Sequence, residues 1–207
     1  MKLLLVAAIL IFLGPSLKEV LGTGTEWSHF SLRNKDYGMP KNERSLIESN
    51  RKRAEKGDAL SQLQLGLLYA NGHRLKQNDR MAIKWLEKAA EKGLSDAFYN
   101  LGVIYDIGKG VEENNEQAVK MYLEAAHQGN AKAQTNLGVM YFLGEGVKDD
   151  PVAAYTWWNI ATANGNDTAK GHINIITGEM TKEQIAKAQE LAQEMIEANP
   201  KLLGVSC

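Results

Sequence analysis

A period of 36 residues constrains this chain more than any other feature. Leu65-Gly66, Leu101-Gly102 and Leu137-Gly138 are related by that step, and so are Tyr69, Tyr105 and Tyr141. The same interval relates Ala82, Ala118 and Ala154, then Gly93, Gly129 and Gly165, then Ala97, Ala133 and Ala169. A fixed period between about 20 and 50 residues is the signature of stacked repeats. Each unit is too small to bury its own apolar face and depends on its neighbours.

Each repeat reads as two helices and two breaks. First helices are expected near 59–70, 95–106 and 131–142, where Phe98, Leu101 and Tyr105 show the spacing of three and four that puts apolar groups on one face. Second helices are expected near 79–92, 116–128 and 152–164. Their inner faces are Ala82, Trp85, Leu86 and Ala89, then Ala118, Met121, Tyr122 and Ala125, then Ala154, Trp157, Trp158 and Ala161. Gly66, Gly102 and Gly138 lie inside helices, where glycine costs about 1 kcal/mol relative to alanine. Close approach of a partner helix at Ala82, Ala118 and Ala154 is the expected compensation. Gly72, Gly108 and Gly144, with Gly93, Gly129 and Gly165, fall where left-handed helix ends are wanted.

These residues carry a resemblance. Ala97, Leu101-Gly102, Tyr105, Gly108-Lys109-Gly110-Val111, Ala118, Ala125-Ala126 and Gly129 resemble the Sel-one-like repeat, a relative of the tetratricopeptide repeat. The third copy matches with Gly144-Glu145-Gly146-Val147. The first departs at Gly72-His73-Arg74-Leu75, where Arg74 stands for the second glycine. A positive φ is costly for arginine, so that turn is expected to take another shape. The resemblance covers about residues 42–197. It implies an all-α fold: a right-handed α/α solenoid of 36-residue helix-turn-helix repeats, with an N-terminal half-repeat and C-terminal capping helices.

Around the repeats, residues 1–22 read as a secretory signal peptide: Lys2, an apolar run from Leu3 to Leu13, then Gly14-Pro15. The run is too short to span a bilayer comfortably. Cleavage is expected after Gly22, with Ser16 as the rival. Residues 23–41 read as an irregular arm, either loose or docked on the repeats through Trp27 and Phe30. Residues 42–56 read as a second helix without its first, with Asn42, Glu43, Arg44, Arg51, Lys52 and Arg53 as a charged outer face. Full repeats occupy about 59–94, 95–130 and 131–166. A last first-type helix follows near 169–176, and then a helix capped by Thr181, with Ile185, Ala188, Leu191, Ala192, Met195 and Ile196 on one face. Residues 198–207 are expected to fray.

Several functions are disfavoured. The formal net charge of −1 argues against general nucleic-acid or anionic-membrane binding, so membrane contact is expected only through the signal segment before cleavage. Cys207 is the single cysteine, which rules out an internal disulfide or a cysteine metal site. Some secreted relatives of the family pair their helices with disulfides and have been connected with β-lactam binding. This chain lacks those cysteines, so that activity is not carried over. His29, His73, His127 and His172 are scattered, without ligand spacing. His127 sits beside the helix end at Gly129, where a cation suits the helix dipole. Gly108-x-Gly110 and Gly144-x-Gly146 follow helices rather than strands, so they read as turns and not phosphate loops. No catalytic, cofactor or metal residue is assigned. Trp157 is expected in the core, and Trp158 is expected to pack against the last helices, with partial exposure and a binding role as the alternative.

In tetratricopeptide-like stacks the first helices line the concave side. The resemblance then implies a groove of Leu60, Leu63, Leu67 and Asn71; Asp96, Tyr99, Val103, Asp106 and Ile107; and Lys132, Thr135, Val139, Phe142 and Leu143. An exposed apolar strip of this kind usually marks a partner site. The expected function is a non-catalytic scaffold or adaptor of the bacterial cell envelope, exported to the periplasm or beyond. It would bind a protein or peptide in that groove. Alternatives are a weak cell-wall or β-lactam hydrolase and a self-assembling structural solenoid.

Overall fold

The computed structural model describes residues 41–72 and 74–204. The signal segment and, apart from Lys41, the arm lie outside these residues. The elements are α1 (Lys41–Glu55), α2 (Ala59–Asn71), α3 (Asp79–Glu91), α4 (Ser95–Ile107), α5 (Asn115–Ala126), α6 (Ala131–Leu143), α7 (Pro151–Ala163), α8 (Asp167–Ile176) and α9 (Lys182–Ala198), followed by a 3-10 turn, Pro200–Leu203. All regular structure among the described residues is helical. First and second helices pair as α2 with α3, α4 with α5 and α6 with α7.

The helix starts are written into the period. Asn78, Asn114 and Asp150 stand 36 residues apart, and each side chain accepts a backbone N–H in the first turn of α3, α5 or α7. Such a cap contributes about 1 kcal/mol. The carbonyls of Tyr69, Tyr105 and Tyr141 accept the backbone N–H of those three residues at 3.0, 2.8 and 2.8 Å. That bond closes the loop between the paired helices, so the glycine-rich segments are turns. Among the described residues only glycines have positive φ. Arg74 therefore avoids the conformation that Gly110 and Gly146 adopt, and the first turn has its own shape.

The helical glycines approach something larger than the alanines expected from the sequence. A Cβ on Gly66 would lie 2.8 Å from Leu86 Cγ, and one on Gly102 would lie 2.6 Å from the Tyr122 ring. On Gly138 it would meet the Trp158 indole. These three side chains are fully buried. Burying a large apolar side chain stabilises by about 1.5–3 kcal/mol, which outweighs the glycine's cost. Trp158 is thus core, in one cluster with Ile176 and Ala188 of the last helices and without the partial exposure of the alternative reading, and its Nε1 donates to the Thr135 carbonyl at 3.0 Å.

Successive repeats are joined by buried amides and rings. Gln62 Nε2 donates to the Ala54 carbonyl at 3.0 Å, and Gln134 Nε2 donates to the Ala126 carbonyl at 3.1 Å. Phe98 holds the matching place in the second repeat and packs against two neighbouring core clusters. Two arginines of the expected outer face of α1 turn towards the stack. Arg51 Nη2 donates to Tyr69 Oη at 3.2 Å, and Arg53 Nε donates to Ser61 Oγ at 2.9 Å.

The expected fraying at the C-terminus is corrected for residues 198–204. Leu202 in the 3-10 turn is 1% exposed. Its carbonyl accepts from Gln134 Nε2 at 2.8 Å and from Asn164 Nδ2 at 2.6 Å. Asn199 Nδ2 also donates to the His127 carbonyl at 2.9 Å. Buried polar groups need such partners, and the C-terminal turn supplies them.

Candidate functional site

Three first helices, α2, α4 and α6, leave a groove of about 510 Å³ along one side of the stack. The helical period puts Asp96, Tyr99 and Asn100 on one face of α4, because steps of three and four return to the same side. Leu63 and Leu67 of α2 form the apolar wall, and Ala131 and Lys132 of α6, with the cap residue Asn130, form the opposite wall.

Asn130 Nδ2 donates to Asp96 Oδ1 at 2.9 Å across the seam. Asn100 Nδ2 donates to the Asp96 carbonyl at 2.6 Å. The Tyr99 ring lies 6.2 Å from the Tyr122 ring at 37°. Beneath it, the Tyr122 hydroxyl donates to Asp106 Oδ2 and accepts from Asn136 Nδ2, both at 3.0 Å. Burial pushes the Tyr99 phenol above its usual range, and the Asp106 and Asp96 carboxylates push it further. Tyr99 is therefore a protonated hydrogen-bond group at neutral pH, set in a negative field. The Tyr122 phenol is pushed up more strongly, again by burial first and Asp106 second. The groove offers an apolar wall, fixed amides, carboxylates and one lysine, a mixture suited to holding the backbone and side chains of a ligand.

The structure sorts the expected groove residues. Leu67, Asp96, Tyr99 and Lys132 line the groove, and so does Leu63, which is itself only 8% exposed and belongs to the core cluster of α2, α3 and α4. Leu60 is 60% exposed on the first turn of α2, and Asn71 is exposed at its last. Val103 is partly buried against the central core cluster. Asp106 is committed to Tyr122. Thr135 and Phe142 are only 4% and 5% exposed and are not groove residues. Val139 and Leu143 pack against the same cluster as Phe142, which also contains Ile176 of α8 and Ala188 of α9. The closing helices cover on α6 the positions that the equivalent alignment left open. Asn100, Asn130 and Ala131 line the groove but were not expected there. Asn100 was within reach of the sequence, since it stands four residues after Asp96 on the same stripe.

The Sel1 repeat model matches residues 59–94, 95–130 and 131–166, just over half of the chain. The chain belongs to the Sel1 repeat family. Its fold is shared with a Sel1 repeat protein from Oxalobacter formigenes, at 40% identity and a TM-score of 0.58, covering 63% of this chain and 98% of that one. A protective antigen of uropathogenic Escherichia coli with the same repeat fold is 30% identical, with a TM-score of 0.56, covering 76% of this chain and 42% of that one. Cysteine rich protein B of Helicobacter pylori shares the fold at 23% identity and a TM-score of 0.52, covering 65% of this chain and 97% of that one. No curated protein matches the sequence. These Sel1 repeats are a helical scaffold, and the three similar structures are all bacterial.

Proposed function

We propose that this Sel1 repeat protein is a non-catalytic scaffold or adaptor of the bacterial cell envelope. It binds a protein or peptide in the groove of α2, α4 and α6, on the concave face of the stack. Residues 1–22 direct its export and are removed. The observation that carries this reading is the groove itself: half-buried Leu67, with Leu63 beneath it, stands opposite polar side chains on rigid helices, and Leu60 on the first turn of the same helix is 60% exposed. Exposed large apolar groups beside fixed polar ones are the usual composition of a partner site.

The test is affinity capture from a bacterial envelope extract. The wild-type protein is compared with a Leu60→Ser/Tyr99→Ala variant and with a control, Lys84→Ala, at an exposed position of α3. A partner lost by the first variant and kept by the control supports the groove. Equal capture by all three proteins refutes it.

A further inference from the structure

Three exposed side chains stand at one position of the repeat, one on each first helix, and two of them, Asp96 and Lys132, line the groove. Leu60, Asp96 and Lys132 are 36 residues apart and occupy the first turn of α2, α4 and α6. All three are exposed. Equivalent positions on successive repeats form a row across the stack, so the row reads apolar, acidic, basic. The repeats are alike in backbone and unlike in this row, which makes the row a place where one ligand order is favoured over another.

Spacing sets the form of the ligand. Asn130, at the cap of α6, reaches Asp96 on the first turn of α4 at 2.9 Å. Two side chains of that length place successive members of the row on the order of 10 Å apart. A polyproline II segment has three residues per turn and rises about 3.1 Å per residue, so side chains three apart share one face at roughly 9 Å intervals. A β-strand would turn alternate side chains away, and an α-helix advances only about 4.5 Å in three residues. The polyproline II backbone makes no internal hydrogen bonds, so its carbonyls are free to accept from donors in the groove. Asn100 and Asn130 each carry two amide N–H donors, and one of each is used in a bond with Asp96.

We infer that the groove takes a polyproline II segment with an apolar, a basic and an acidic side chain at every third position. These meet Leu60 with Leu63, then Asp96 beside Tyr99, then Lys132. The inference rests on the groove reading above and adds the order and chemistry of the partner.

The probe is a synthetic heptapeptide with leucine, lysine and glutamate at its first, fourth and seventh positions and proline between them, used with its reversed sequence. The comparison pair has lysine and glutamate exchanged. Binding to the purified protein is followed by amide NMR shifts. The expected result is shifts at residues 60–67, 96–100 and 130–132 with one of the first pair. Affinity for it is about tenfold higher than for the charge-exchanged pair, and the preference shrinks at high salt. The double variant Asp96→Lys/Lys132→Asp, at two exposed positions, is expected to reverse the preference. Shifts in the groove with no preference between the pairs overturn the inference and leave the groove reading standing. No shifts in the groove with either pair also overturn it, and the capture comparison then decides the groove reading by itself.

Discussion

His172 is fully buried, its ring centroid is 4.9 Å from that of Trp158, and neither ring nitrogen has a hydrogen-bond partner among the described residues. Burial lowers its pKa from 6.5 to about 4. The folded protein therefore holds it neutral while the unfolded chain takes a proton first. Stability is fully present above about pH 6.5 and falls as the pH drops towards about 4, by roughly 3 kcal/mol in all. Urea unfolding at several pH values checks this, and a His172→Leu variant is expected to lose most of the dependence. At Gly102 two effects compete. Gly102→Ala would gain about 1 kcal/mol of helix propensity. The added Cβ would lie 2.6 Å from the Tyr122 ring, and overpacking of a buried ring costs about 1–3 kcal/mol. Net destabilisation is expected, read as a lower thermal midpoint. The glycine period was plain in the sequence. That the glycines admit Leu86, Tyr122 and Trp158 was not, because those residues differ in each copy and hide the shared position.

At the scale of elements, the helices follow local chemistry and were legible almost residue by residue. Caps such as Thr181, whose hydroxyl accepts from the Gln184 N–H while Gln184 bonds back, act within one turn. The cap row of Asn78, Asn114 and Asp150 carries the same information at the 36-residue step. The C-terminal turn was misread because its anchors are remote: Gln134 and Asn164 lie 68 and 38 residues from Leu202. No short-range pattern reports such a bond. Leu202→Ala is expected to cost about 2–3 kcal/mol, with chemical denaturation as the measurement. A cost near zero would mean that the turn contributes nothing to the stack.

Across the whole molecule, a linear stack loses stability from its weaker end, because each repeat touches only its neighbours. Among the described side chains of α1 the buried ones are Ile47, Asn50 and Ala54. Leu46 is 62% exposed at the position where Ala82, Ala118 and Ala154 are buried in the later repeats. At the other end, α7, α8 and α9 share one apolar cluster with α6. Hydrogen exchange should therefore show α1 opening first and α5 to α7 last. Protection of α1 equal to that of α6 would contradict this order. The same asymmetry shapes the candidate groove. Leu67 of α2 lines it, while the equivalent Val139 of α6 packs against the cluster that the closing helices complete.

Periodicity, caps and glycines act over distances of a few residues or recur at a constant step, so the sequence by itself determined the helices, their pairing and the repeat class. Asp96, Tyr99 and Lys132 could be placed in the groove by register alone. Burial depends on what lies above a residue, and that is a matter of contacts between distant segments. Only the tertiary structure decided that Thr135, Phe142 and Trp158 are interior, that Asn100 and Asn130 join the groove, and that the C-terminal turn is held.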